Sequence, residues 1–277
     1  MENVNYQLTK LKRKFREFVA LYDLSDESIV SKINHSKRVC NKSLYLGRKL
    51  NLDAENMYLA GTIGLIHDVA RFEQWTRFKT YKDSQKFNHS YMSNHVLFNV
   101  DRSVKGRLID FFEIPVKYHD IVRFAICNHG NKEISPLCNN LRGTNNGNTA
   151  MFHAKLIRDA DKLDLLNNFS HVVLLMKKGF NEQRSTLQRT EGASSAVLQE
   201  FNNHRLVDRT NVVTILDYAL MQTAFGYDFN FEPPKQIYIN KLASNIYKSF
   251  RPYLNQADAQ TLRFHIQNQL KYLKNKR

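Results

Sequence analysis

The sequence predicts an all-α fold. Glycine (10) and proline (5) are scarce in 277 residues, which disfavours a turn-rich β architecture. Apolar residues recur at three- and four-residue spacing through several long stretches, and no strand pattern of any length alternates beside them. Hydrophobic residues make up 42% of the chain and aromatics 12%, ample for a sizeable core in one large domain or two small ones.

The elements follow in order. Residues 7–22 read as an amphipathic helix, with Leu8, Leu11, Phe15, Phe18, Val19 and Tyr22 on one stripe and basic residues opposite. A second helix starts after a Ser25-Asp26 cap and runs to about Lys49, carrying Ile29, Val30, Ile33 and Val39. The third extends from about Asp53 through His67-Asp68, with Met57, Ala60 and Gly64 at helical spacing. Gln74 to Phe87 reads as a polar, aromatic-rich connection. Helices are expected at 88–99, 105–113 and 115–128, the last opening on Pro115, a residue favoured in a first turn. The Asn- and Gly-rich stretch 139–148 is a loop on composition. A helix from about Thr149 to Asn168 and another at 170–178 follow, then a polar, unpatterned excursion at 179–195. Helices at about 195–205, 211–225, 235–250 and 256–274 close the chain, with Pro233-Pro234 and Pro252 as breaks. The expectation is one all-α domain over 1–277, with a core at about 25–175 and a helical C-terminal extension at about 195–277.

Cys40, Cys127 and Cys138 are odd in number and show no CxxC spacing, so a reducing, cytoplasmic setting is expected. The N-terminal residues lack an apolar signal core, and runs such as Val172 to Met176 are far too short to span a bilayer, so no membrane partner is expected. The net charge of +15 (41 Lys and Arg against 26 Asp and Glu) suits anionic partners: phosphorylated small molecules, nucleotides or nucleic acid. Residues 235–277 hold nine Lys and Arg against the single acid Asp258. A solvated basic surface accounts for the excess as well as nucleic-acid binding does, because no nucleic-acid-binding signature accompanies it.

The segment from Ile63 to Gln74 is apolar until it meets the adjacent pair His67-Asp68, then turns charged. A buried carboxylate beside an imidazole is costly unless compensated, and a metal ion is the commonest compensation. Further candidate ligands stand on or at the ends of predicted helices: His35, His89, His129 and Asp161. Helical proteins build metal sites from such inward-facing positions. Four N/O ligands suit one divalent ion of the Mn, Fe, Co, Ni or Zn type, and six can hold two ions with Asp68 as a bridge. Each residue also has an ordinary reading. His35 alone on a helix is a common satisfied histidine, and Asp161 can pair with Arg158 or Lys155 along its own helix.

The order His … His-Asp … Asp, set in His35-Ser36-Lys37-Arg38-Val39, Gly64-Leu65-Ile66-His67-Asp68 and Ala160-Asp161-Lys162, resembles the HD-domain superfamily of metal-dependent phosphohydrolases. The resemblance covers about residues 25–175, and the continuation Arg71-Phe72-Glu73-Gln74 is similar to a subgroup of uncharacterised bacterial HD proteins. It implies metal ligands at His35, His67, Asp68 and Asp161, with His89 and His129 where two-metal members add histidines. Many members carry a lysine three residues after the pair; here Arg71 stands there, keeping the charge and adding a bidentate fork.

The expected function is hydrolysis of a phosphate ester or anhydride bond, of a nucleotide above all, by water activated at the metal. Asp68 ligates and orients the water, while Arg38, Arg71 and Lys162 hold substrate phosphate or, as readily, pair with the ligand carboxylates. Trp75, Phe78, Tyr81 and Phe87 offer rings for a base, although aromatics at that spacing are more often core. Two other readings stand beside this one. A mixed-valent di-iron oxygenase branch of the same superfamily uses the same six-ligand order. Alternatively, a nucleic-acid-binding protein with a vestigial metal site works through its basic C-terminal face. The C-terminal amphipathic helices offer a surface on which a second subunit can pack.

Overall fold

The computed structural model describes residues 4–84, 87–101, 106–168 and 191–275 of an all-α chain. The chain divides into two compact units, Met1–Asp164 and Leu165–Arg277. The predicted helix at 170–178 and the stretch 179–190 lie outside the described residues.

In the first unit, α1 (Val4–Val19) buries the predicted stripe of Leu8, Leu11, Phe15, Phe18 and Val19. Helix α2 (Glu27–Lys49) is capped by Asp26, whose carboxylate accepts the Ser28 amide at 2.9 Å. Helix α3 (Ala54–Ile66), capped by Asp53, is buried at every position from Tyr58 to Ile66, as its all-round apolar sequence demands. It packs closely against α2 because of Gly64. A β-carbon there would sit 2.9 Å from the Cys40 α-carbon and 2.7 Å from the Ser43 hydroxyl, so any other residue would drive the two helices apart.

Helix α4 (Ala70–Phe78) occupies residues that the sequence assigned partly to an irregular connection. The anchor is Phe72, fully buried and packed edge-on against Phe15 and Phe18, with ring centroids 6.2 and 5.9 Å away. Lys79 in the left-handed region (φ 49°) ends the helix. Asn88 then caps α5 (His89–Phe98).

A two-residue antiparallel ribbon, β1 (Val100–Asp101) with β2 (Gly106–Arg107), precedes the short α6 (Leu108–Phe111), so the helix predicted at 105–113 shrinks to one turn. Pro115 is extended (ψ 139°) rather than helical. A 3-10 turn over Val116–Tyr118 follows it, and α7 (His119–Asn128) starts later than predicted. Helix α8 (Asn145–Asn167) completes the first unit and runs across its boundary.

The described part of the second unit contains α9 (Ser195–Asn202), α10 (Ile215–Ala224), α11 (Glu232–Ile237), α12 (Ala243–Phe250) and α13 (Gln256–Asn275). Pro233 and Pro234 are not breaks, because they lie in the first turn of α11, where the missing N–H groups have no intrahelical partner to lose. A π turn over Tyr238–Leu242 joins α11 to α12, and Pro252 sits in the 3-10 turn Arg251–Tyr253.

Thr214 and Asp217 form a capping box at the start of α10. Asp217 is wholly buried and accepts from the Ser194 amide (2.7 Å), the Ser194 hydroxyl (2.6 Å), and the Val213 and Thr214 amides (3.0 Å each). Replacing it by alanine leaves these donors without their acceptor. Asp217→Ala should therefore cost about 3 kcal/mol in a denaturant titration. A loss below about 0.5 kcal/mol would show that water reaches the cap.

Among the described residues, no helix is long and apolar enough to cross a membrane.

Candidate metal centre

Each sequence-predicted ligand is delivered by a helix or a helix end of the first unit. His35 lies mid-way along α2 on its buried face. His67 is the residue at which α3 stops, and Asp68 follows in the turn that leads into α4, its carbonyl accepting the Arg71 amide at 2.9 Å. His89 opens α5, His129 terminates α7, and Asp161 lies on α8. His67 and Asp68 are 0% and 3% exposed, and His129 is 4% exposed.

These residues converge. Asp68 is the hub, and its two carboxylate oxygens face two different groups. Its Oδ2 lies 3.5 Å from His35 Nε2 and 3.4 Å from His67 Nε2. Its Oδ1 lies 3.3 Å from His129 Nε2 and 3.9 Å from His89 Nε2. Asp161 Oδ1 closes the first group, 3.2 Å from His35 Nε2 and 3.9 Å from His67 Nε2. The imidazole rings form a chain, His35 to His67 to His129 to His89, with centroids 5.3, 4.9 and 4.8 Å apart. Two overlapping triads, His35–His67–Asp161 and His67–Asp68–His129, have ligand atoms close enough to hold a metal ion.

Ring orientation follows one rule. Each imidazole has an acceptor behind Nδ1 and turns Nε2 inward. His67 Nδ1 donates to the Gly64 carbonyl (3.0 Å) and His129 Nδ1 to the Ile126 carbonyl (2.7 Å), each one turn back in its own helix. His35 Nδ1 lies 2.9 Å from Asp164 Oδ2, and His89 Nδ1 lies 2.5 Å from Asp83 Oδ2. A carbonyl can only accept, so Nδ1 of His67 and His129 carries the proton and Nε2 carries the lone pair. This is the outer shell that metal-ligating histidines require.

Four inward-facing atoms, His67 Nε2, Asp68 Oδ1, His129 Nε2 and Asp161 Oδ1, are buried with no hydrogen-bond partner. Unpaired buried polar atoms cost of the order of 1–3 kcal/mol each. Cations held in the two overlapping triads would satisfy these imidazole lone pairs and carboxylate oxygens. The residues therefore fit a divalent metal.

Electrostatics agree with the geometry. Burial opposes charge on Asp68, but the Lys32 ammonium and the surrounding imidazoles of His67, His129 and His35 hold its carboxyl well below the usual range. Burial also opposes ionisation of Asp161, and the neighbouring His35 overrides it downwards. Burial and Lys32 both disfavour protonated His35, yet the carboxylates of Asp161, Asp164 and Asp68 around it raise its pKa to about 9. Burial lowers His67, and burial with the Arg71 charge lowers His89 to about 4.

The predicted phosphate-binding residues fare differently. Arg38 is beside the centre, but its Nε and Nη2 are laid on Asp164 at 2.9–3.1 Å. Arg71 is engaged as a brace. Its Nη1 donates to Gln74 Oε1 (2.7 Å), the Tyr81 carbonyl (2.6 Å) and Asp83 Oδ1 (2.9 Å), while its Nε lies 3.7 Å from Asp68 Oδ1. Lys162 is buried, and its ammonium donates to the Arg158 carbonyl of its own helix at 3.4 Å.

Arg158 reaches the carbonyls of Asn128 (2.9 Å), Asn131 and Lys132 (3.0 Å), and so secures the turn that carries His129. Trp75 and Tyr81 pack on each other at 4.9 Å, with the indole N–H bound to Asp26 and the phenol to the Ser28 carbonyl.

Sequence reasoning missed three functional-site residues. Lys32 donates to Asp68 Oδ2 at 2.7 Å, Asp164 orients His35, and Asp83 orients His89 while holding Arg71. Helical spacing offered a signal for the first two. Lys32 precedes His35 by three residues and Asp164 follows Asp161 by three, so each shares a face with a ligand. Asp83 lies in the loop after α4, where no periodicity exists to mark it.

Comparison with known proteins finds no matching family model, no similar curated protein and no similar solved structure.

Proposed function

We propose that this protein is a metal-dependent phosphohydrolase of the HD-domain type, cleaving a phosphate ester or anhydride bond. One observation carries the reading: the unpartnered Nε2 and carboxylate oxygen atoms of His67, His129, Asp68 and Asp161 face one another inside a shell that fixes each ring. His35, His67, Asp68 and Asp161 would hold one divalent ion, and His129 and His89, on the other oxygen of Asp68, a second. A bound ion supplies Lewis acidity towards a phosphoryl oxygen and makes water a better nucleophile.

The protein's own groups do the rest. Asp68 is fully ionised at neutral pH and orients an attacking water by accepting its hydrogen bond. Lys32, 14% exposed beside it, carries a positive charge to where negative charge develops on the phosphoryl oxygens. Arg71 holds the Tyr81–Asp83 loop against the pair.

The test is to identify the metal in the purified protein, then to screen phosphate release from mono-, di- and triphosphates with Mn²⁺, Co²⁺ or Ni²⁺. Release by the metallated protein, abolished by a chelator, is expected. No release from any substrate by fully metallated protein overturns the reading.

The convergence of both His89 and His129 on Asp68 also favours a second reading, a di-iron oxygenase with the same six ligands. Two bound irons with O₂-dependent turnover and no phosphate release would select it. Against it stands the density of cations around the ligands, Lys32, Arg38 and Lys42, which a phosphorylated substrate uses and an uncharged one does not.

A further inference from the structure

The face of α2 that carries His35 also carries three cations. Lys32 stands three residues before it, Arg38 three after and Lys42 seven after. In a helix these spacings place them about 4.5 Å before, 4.5 Å beyond and 10.5 Å beyond His35 along the axis. Lys32 is at the Asp68 end. Arg38 and Lys42 are at the other end, both on Asp164, at 2.9 Å and 3.2 Å.

Asp164 is 1% exposed and its oxygens are committed to the His35 ring, the Arg38 fork and the Lys42 ammonium. The Arg38 fork alone balances the carboxylate, so the Lys42 charge is in excess of what the buried acid requires. The two basic side chains remain 39% and 22% exposed, so a ligand can reach them. They are also held in place by a buried group, which lowers the entropy lost when an anion binds. A substrate with a single phosphoryl group at the Asp68–Asp161 centre would leave this far edge unused.

We infer that the substrate carries a polyphosphate chain, with the reacting phosphoryl group at the Asp68–Asp161 centre and the trailing phosphates along the Arg38–Lys42 edge of α2. The inference rests on the phosphohydrolase reading of the centre and chooses among its substrates: an ester of two or more linked phosphates, or a free polyphosphate, over a monophosphate ester.

The test has a binding arm and a turnover arm. Calorimetry on the protein purified with its metal compares inorganic tripolyphosphate with orthophosphate. The wild type should bind the chain at least about tenfold more tightly, and Lys42→Met should remove most of that preference. In turnover, the ratio of kcat/KM for a nucleoside triphosphate over the monophosphate should fall about tenfold in Lys42→Met. A parallel fall for inorganic tripolyphosphate would assign the recognition to the chain itself, and a fall for the nucleoside ester alone would assign it to the ester.

Equal wild-type binding of the two anions overturns the inference, and this holds even if Lys42→Met fails to fold. Hydrolysis confined to monophosphates overturns it as well while leaving the phosphohydrolase intact. Tight, Lys42-dependent binding of tripolyphosphate without any hydrolysis does the reverse: the polyphosphate edge stands and the hydrolase falls.

Discussion

Asp68→Ala should lose bound metal and phosphate release together, the latter by about a thousandfold or more. The carboxylate faces both ligand sets, with Oδ2 towards His35 and His67 and Oδ1 towards His129 and His89. Alanine removes both oxygens and leaves the Lys32 ammonium facing the imidazoles with no anion between them. Asp68→Asn retains the shape but loses the negative charge, and should fall nearly as far. Metal content and phosphate release, measured on the same preparations, check both variants. Wild-type turnover by Asp68→Ala would place the chemistry elsewhere.

The second large effect is a pair of opposed pH dependences set by His35. Its pKa of about 9 in the folded metal-free protein lies above the ordinary 6.5. A raised folded pKa contributes stability that is fully present below 6.5 and is lost as pH rises through 9. In the presence of chelator, stability should therefore fall between pH 6.5 and 9, by as much as about 3 kcal/mol. His89 and His153, both lowered to about 4, act in the opposite sense and only below about 6.5, so they do not mask this window.

Metal affinity should move the other way, because ligation through Nε2 requires that His35 give up its proton. Affinity should rise up to about pH 9, with about one proton released per protein at pH 7.5. Thermal unfolding with and without Mn²⁺, together with calorimetry in buffers of different ionisation enthalpy, checks both slopes. A flat metal-free profile between pH 6.5 and 9 would remove His35 from the centre's proton balance.

The long, periodic or wholly apolar elements were legible in the sequence: α1, α2, α3 and α8 lie within a few residues of expectation, and α2 and α3 have their aspartate caps. The six residues that converge at the candidate centre were legible too, because each stands on or beside a helix that periodicity reveals. What periodicity does not encode was lost. Phe72 makes a helix of a stretch rich in polar residues by long-range packing on α1, and the extended Pro115 delays α7. Arg71 read as a substrate contact because its partner Asp83 lies twelve residues away across an irregular loop. Charge alone could not separate a brace from a phosphate clamp.

The four imidazoles are steadied in two ways, and their vulnerability to mutation differs accordingly. His67 and His129 lean on carbonyls of their own helices, supports that no side-chain replacement can delete. His35 and His89 lean on Asp164 and Asp83, and each support disappears with a single codon change. The two central rings of the chain are thus guaranteed by the main chain, and the two outer ones depend on distant side chains. Drift in this sequence would first loosen the ends of the ligand row, leaving a narrower centre around His67, Asp68 and His129.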